Sequence, residues 1–155
     1  MKPETNVVPF TPAGAPMMPT EPTEFDIFVH QTFTTAMEGG VNYWASVENY
    51  RWAMRDASGA RVKDSFGDPC EDYQGFTATL LDNEDEDAEP RVVNREVIER
   101  GIRAIANGTA RTNTKLRKEM LVLVNAPEMA EMLDLDAGDA DCIVQAGLFG
   151  EIVYG

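Results

Sequence analysis

The chain has 155 residues, a formal net charge of −14 and a sequence pI near 4.3. This length fits a single domain, and a hydrophobic content of 43% is too high for a fully disordered chain. The excess of acids opposes direct binding to a nucleic-acid backbone and to anionic membranes. No apolar run approaches the ~20 residues of a membrane-spanning helix, and no signal peptide is apparent, so we expect a cytoplasmic protein.

The first segment, residues 1–23, differs in composition from the rest because it holds six of the nine prolines. Proline fixes φ and removes an N–H donor, so this segment predicts an extended or disordered proline-rich arm. Residues 24–155 are then expected to form a single α+β domain. Within that domain, residues 82–89 (DNEDEDAE) hold six acids, whose mutual repulsion predicts an exposed loop.

The domain is predicted to begin with a helix. Apolar residues from Phe25 to Met37 recur at intervals of three and four residues, which is typical of one helical face. Gly39-Gly40 is expected to end this helix, because glycine accepts the left-handed conformation common just past a helix C-terminus. His30 lies off the apolar stripe, which favours a solvated side chain.

The remaining pattern predicts strands followed by helices, and no internal repeat. Alternating aromatic and β-branched residues predict strands at 41–54, 74–81 and 91–93. Capping residues and helical spacing predict further helices that begin near Asn94, at Thr112 or Asn113, at Pro127 and at Asp139. The expected fold is α+β, with a small antiparallel sheet packed against about four helices.

One candidate ligand-binding segment is EGGVNYW, residues 38–44. Glycine lets a ligand approach the backbone, aromatic faces can stack on a flat ligand, and a carboxylate and an amide can pair with its polar groups. The same residues are also explained by a helix cap followed by packed aromatic side chains. The candidate binding residues in this segment are Glu38, Gly39, Gly40, Asn42, Tyr43 and Trp44.

A second candidate segment is DADCIVQAGLFGEIVYG, residues 139–155. Asp141 and Gln145 lie one turn apart on a predicted helix that is otherwise mostly apolar. Burying an amide costs free energy unless its hydrogen bonds are made. Gln145 therefore either bonds nearby backbone, for which the Gly39-Gly40 turn is one candidate, or faces a pocket. Asp141 and Gln145 complete the candidate ligand site.

The sequence contains none of the common motifs for nucleophilic, phosphate-binding or metal chemistry. The acids between Asp134 and Asp141 superficially resemble a calcium loop, but the glycine and glutamate positions of that loop are not matched. Cys70 and Cys142 suggest neither a disulfide framework nor a metal pair. We therefore predict that the chain is not an enzyme and has no catalytic residues, metal or cofactor.

Two segments, EGGVNYWASVENYRW and DADCIVQAGLFGEIVYG, together resemble a family of uncharacterised small proteins encoded by actinobacterial phages and related mobile elements. The resemblance covers roughly residues 25–54 and 91–155, and it excludes the arm and the acidic run. It implies a phage origin and no mechanism. The joint appearance of the two motifs suggests that they meet in space.

These observations predict a phage-type accessory protein that acts in the host cytoplasm by non-covalent binding, with counter-defence as one such role. Its partner would be a host protein or a small nucleotide-like ligand. A first alternative is an acidic decoy or nucleic-acid mimic that occupies a basic host surface through residues 82–89 and 134–141. A second is a minor virion component tethered by the arm. The oligomeric state is left open, with a homo-oligomer among the alternatives.

Overall fold

The computed structural model describes residues 21–155, so the predicted arm lies outside the described residues except for its last three. The α+β fold is confirmed for the described part. Its helices are α1 (Glu24–Thr35), α2 (Arg95–Ala106), α3 (Thr114–Asn125) and α4 (Ala137–Phe149). Its strands are β1 (Ala45–Arg51), β2 (Thr77–Asp82) and β3 (Arg91–Asn94). A π-helical turn (Ala36–Gly40) follows α1, and a 3-10 helix (Pro127–Met132) follows α3.

The three strands form one antiparallel sheet in the order β1-β2-β3. The first strand is shorter than predicted, because residues 41–44 form a turn and β1 begins only at Ala45. Val41 carbonyl oxygen closes this turn by accepting from the N–H groups of Trp44 (3.0 Å) and Ala45 (2.9 Å). The aromatic pair of the EGGVNYW segment therefore projects from a turn rather than from a strand.

Side-chain caps set the starts of the helices, as predicted from the sequence. Asn94 accepts from Val97 N at 3.1 Å, and Asn113 accepts from Leu116 N at 2.8 Å. The start of α4 was predicted one turn too late. Its cap is Asp136, and Asp139 is the third helical residue, whose carboxylate accepts from the cap's own N–H in a capping box.

Helices α2 and α4 cross with their backbones almost in contact. A Cβ atom built at Gly101 would lie 2.0 Å from Ile143 O, and one built at Gly147 would lie 2.0 Å from Val97 O. Both distances are far inside van der Waals contact, and the obstructing atoms belong to the backbone. Glycine at both positions is therefore what allows α2 to pack directly on α4, the helix that carries Asp141 and Gln145.

Residues 52–75, called here the triangular segment, connect β1 to β2. Three short extended stretches in this segment pair with one another in a closed ring. Met54 N donates to Cys70 O (2.8 Å), Cys70 N donates to Val62 O (2.9 Å), and Val62 N donates to Met54 O (2.9 Å). Each stretch therefore forms backbone hydrogen bonds with the other two, although the three do not form a regular sheet.

An eight-residue sequence repeat underlies the triangular segment. Each copy consists of an apolar residue, a charged residue, aspartate, two variable residues and glycine, and the copies begin at Met54, Val62 and Cys70. In the first two copies the aspartate accepts the N–H groups of residues two and four positions later. The prediction that the chain has no internal repeat is wrong for this segment.

His30 joins the triangular segment to the core, which contradicts the predicted solvated side chain. It is buried, and its Nε2 lies 2.9 Å from Trp52 O. Its ring also packs against Tyr73 and Phe76, with centroids 5.2 and 5.8 Å away. The buried face of α1 is wider than the predicted apolar face. It includes His30 because residues that follow β1 in the chain cover this side of the helix.

Candidate functional site

The two motifs predicted from the sequence meet in space through four side chains. Asp141, a buried residue, accepts from Trp44 Nε1 at 2.9 Å and from Tyr43 OH at 2.7 Å. The side-chain amide of Gln145, one turn further along α4, donates to both carboxylate oxygens of Asp141 at 3.0 Å. One carboxylate thus receives three donors from two distant segments, which satisfies most of its hydrogen-bonding capacity.

Gln145 is fully buried, and its amide holds the C-terminal tail, residues 150–155. Its Oε1 accepts from the backbone N–H groups of Val153 and Tyr154, both at 2.8 Å, while its Nε2 donates to Tyr154 O at 3.2 Å. Of the two alternatives for Gln145, the structure shows the hydrogen bonds to nearby backbone. The backbone is that of the tail and not the Gly39-Gly40 turn.

A flat ring does stack on Trp44, and it belongs to the protein itself. The rings of Trp44 and Tyr154 are nearly parallel, with an interplanar angle of 5° and centroids 4.5 Å apart. Tyr154 OH reaches across to Asp82 Oδ2 at 2.5 Å, which ties the tail to the end of β2. The tail therefore supplies both the aromatic face and the backbone polar groups that the sequence pattern is suited to recognise.

The two glycines of the predicted site differ in their surroundings. A Cβ at Gly40 would lie 2.7 Å from Ala137 O, so glycine at this position allows the first turn of α4 to pack closely against the backbone. Gly39 is exposed, and a Cβ there would meet nothing within 4 Å. The close approach predicted for a ligand at Gly40 is made by a helix of the same chain.

The two remaining predicted residues lie at the exposed edge of the cluster. Asn42 donates to Met37 O at 3.4 Å, and Glu38 accepts from the hydroxyl of Tyr50. Neither side chain makes a hydrogen bond to Asp141 or Gln145. Of the predicted ligand site, Tyr43, Trp44, Asp141 and Gln145 form one hydrogen-bonded cluster, which we call the tail latch, and Glu38, Gly39 and Asn42 stand beside it.

All four tyrosines of the chain donate to a carboxylate: Tyr43 to Asp141, Tyr50 to Glu38, Tyr73 to Glu71 and Tyr154 to Asp82. Partial desolvation of its hydroxyl, and then the bond to Asp141, raises the pKa of Tyr43 to about 12. Burial beside a carboxylate also raises the pKa values of Tyr50 and Tyr73, and the bond to Asp82 raises that of Tyr154. A phenolate in any of these places would face a negative charge instead of donating to it.

This pattern predicts an alkaline limit to stability. A folded-state pKa above the unfolded value near 10 contributes stability that is complete below pH 10 and is lost as pH rises through the folded value. For Tyr43 this window runs from pH 10 to about 12. We expect tyrosine absorbance at 295 nm to titrate above pH 10 and the free energy of unfolding to fall over the same range. Titration of all four phenols at pH 10 in the folded protein would contradict the pairing.

A feature outside the predicted site is the tip of the triangular segment. Phe66 is 88% exposed, the highest exposure of any large hydrophobic side chain in the described residues. The turn that carries it is fixed by Asp64 Oδ1, which accepts from Phe66 N at 2.8 Å and from Asp68 N at 3.0 Å. Gly67 completes the turn with a φ of +83°. The Asp-x-x-Gly repeat is the sequence signal that could have located it.

Within residues 21–155 no group of three or more histidine, cysteine or acidic side chains is arranged to hold a metal ion. Nor is any helix in that range long and apolar enough to cross a membrane. Burial raises the pKa of the Cys142 thiol to about 11, which keeps it protonated at neutral pH.

Comparison with protein families, with curated proteins and with solved structures gave no match to this chain. The resemblance to small phage-encoded proteins therefore stays a prediction from the two motifs.

Proposed function

We propose that this chain is a phage-type accessory protein that acts in the host cytoplasm by non-covalent binding to a host protein. The observation that carries this proposal is Phe66, an aromatic side chain held in solvent on a turn whose backbone is already ordered. Aromatic residues dominate the energetics of protein interfaces, and a side chain on a fixed turn loses little conformational entropy when it binds.

A host protein is favoured over a small nucleotide-like ligand because the tail occupies the predicted ligand site. Trp44 has Tyr154 on its ring, and its indole N–H is donated to Asp141. The polar atoms of Gln145 are bonded to the tail and to Asp141. A flat ligand would have to displace the tail before it could stack on Trp44, which would cost the hydrogen bonds that the tail now makes.

The chemistry around Phe66 indicates what kind of surface it would fit. Asp64 and Asp68 flank it within the same turn, and the chain as a whole carries a charge of −14. An apolar pocket rimmed by lysine or arginine would accept the ring and neutralise the two carboxylates. We therefore expect a partner whose binding surface combines such a pocket with positive charge.

Photo-cross-linking tests this proposal. A benzophenone amino acid placed at position 66 should give one discrete cross-linked species when the protein is expressed in an actinobacterial host and irradiated. The matched control places the same amino acid at Val92, which is 53% exposed on the sheet. Cross-linking with equal yield at the two positions, or at position 92 alone, would contradict the assignment of the binding surface.

Once the cross-linked partner is identified, its binding can be measured directly. Phe66→Ser is expected to weaken this binding by about 2 kcal/mol, roughly 30-fold in Kd. Asp64→Ala leaves the ring in place but removes the acceptor that fixes the turn. It should weaken binding less than Phe66→Ser, because the ring then has to be ordered on binding. Val92→Ser should leave Kd unchanged, and an equal effect of all three substitutions would argue against a specific role for Phe66.

The acidic-decoy alternative has its own supporting observation: residues 83–87 are all exposed. Contacts through this loop would be ionic and would weaken strongly as salt rises. Contacts centred on Phe66 would persist, because burial of an apolar ring is not screened by salt. Replacing Glu84, Asp85, Glu86 and Asp87 by their amides and repeating the binding measurement in high salt separates the two. These replacements keep Asp82, which holds Tyr154, and Asn83, whose N–H is donated to Trp44 O.

A further inference from the structure

The second half of α3 and the 3-10 helix after it carry an unusual concentration of exposed apolar side chains. The members of this α3 patch are Leu121, Val122, Val124, Met129 and Met132. The opposite face of α3 is buried in the core through Leu116, Met120 and Leu123. The second half of α3 is therefore apolar on both sides, which is expected when something covers its outer side.

A groove of about 180 Å³ runs beside the patch. Its apolar lining includes Phe25, Ile102, Leu123, Val124 and Pro127. The same surface therefore carries protruding aliphatic side chains and, beside them, a groove that could receive such side chains. Two copies of such a surface can interlock when they are related by a two-fold axis, because each offers what the other accepts.

The charges around the α3 patch are arranged in the same self-complementary way. Three exposed bases, Lys115, Arg117 and Lys118, lie in the first half of α3 before the patch, and Lys115 also pairs with Glu119 of its own helix. Three exposed acids, Glu128, Glu131 and Asp134, lie within and just after the 3-10 helix. An antiparallel copy of the segment would place the bases of each chain over the acids of the other. A parallel copy would oppose like charges.

We propose that a second copy of this chain covers the α3 patch, with the two α3 helices antiparallel across a two-fold axis near Leu121 and Val122. The overall charge of −14 supports this choice of surface. Most approaches between two such chains bring acids together, whereas this face offers a cluster of bases to the acids of the partner. The α3 patch shares no residue with the turn that carries Phe66, so we expect a dimer to present two copies of the proposed host-binding turn.

Light scattering coupled to size exclusion tests the dimer with the full chain. The expected mass is twice 17.1 kDa for the unaltered protein and 17.1 kDa for the Leu121→Ser/Val122→Ser double variant. Val92→Ser is the matched control, since it removes an exposed valine outside the patch and should remain dimeric. A monomer at every concentration, or a dimer that the double variant leaves intact, would overturn the proposal.

A charge exchange tests the antiparallel arrangement. Lys118→Glu and Glu128→Lys should each weaken self-association by about tenfold or more, because each variant sets like charges against each other in its own dimer. An equimolar mixture of the two variants should recover the affinity of the unaltered protein, since opposite charges then face each other in the mixed dimer. A mixture that associates no better than either variant alone would rule out this orientation.

Discussion

Replacing Gly147 by alanine is expected to destabilise the protein by about 3 kcal/mol or more, although alanine favours a helix over glycine by about 1 kcal/mol. The added methyl would lie 2.0 Å from Val97 O and 2.9 Å from the Val97 carbonyl carbon. Neither atom can turn aside as a side chain could. The helices α2 and α4 must separate, and the packing between them is lost along their contact. The midpoint of urea denaturation should fall accordingly.

Gly39 provides the matched control for this substitution. A Cβ at Gly39 meets nothing within 4 Å, so Gly39→Ala should not lower the free energy of unfolding by more than about 0.5 kcal/mol. Gly101→Ala, on the other side of the crossing, should resemble Gly147→Ala because its methyl would lie 2.0 Å from Ile143 O. Near-native stability of the variants at both crossing positions would show that the helices do not pack backbone to backbone.

Replacing Gln145 by leucine is expected to cost about 2–4 kcal/mol and to release the tail. Leucine has similar bulk, so the loss reports hydrogen bonds and not a cavity. The N–H groups of Val153 and Tyr154 lose their acceptor, and Asp141 loses one of its donors. The freed tail can be solvated by water. The loss of folding free energy is therefore limited to the hydrogen bonds of Gln145 and to the stacking of Tyr154 on Trp44.

Trp44 reports this release directly when the other tryptophan is removed by Trp52→Phe. Loss of Tyr154 from its ring should shift Trp44 emission to longer wavelength and reduce the near-ultraviolet circular dichroism signal. Gln74→Leu is the matched control, because Gln74 is exposed and lies outside the tail latch. An emission spectrum of Trp44 unchanged by Gln145→Leu would mean that the amide does not hold the tail.

The parts of the fold that could be predicted are those determined by neighbours in sequence. The caps at Asn94 and Asn113 and the strand before α2 follow from local spacing, and the structure confirms them. The start of β1 was predicted too early because Tyr43 and Trp44 have strand-like side chains. Their positions are set instead by Asp141, almost a hundred residues away. Local preference was overridden by a tertiary hydrogen bond.

The candidate site, too, could be predicted from the sequence only in part. The sequence indicated which polar groups belong together, because a glutamine and an aspartate on an apolar helix require partners. It could not indicate that the partner of Gln145 is the backbone of residues 153 and 154, since any nearby N–H would satisfy the same amide. The exposed ring of Phe66 was missed because its turn belongs to an eight-residue repeat in which only aspartate and glycine are constant.

Hydrogen exchange of the Val153 and Tyr154 amides tests most directly whether the tail fills the predicted ligand site. Val153 and Tyr154 belong to no helix or strand, and amides outside regular secondary structure ordinarily exchange at nearly the rate of an unfolded peptide. Held by Gln145 Oε1 at 2.8 Å, both amides should exchange at least about 100-fold more slowly than that rate. Exchange of both amides at the unfolded rate, while the amides of α4 stay protected, would contradict the tail latch.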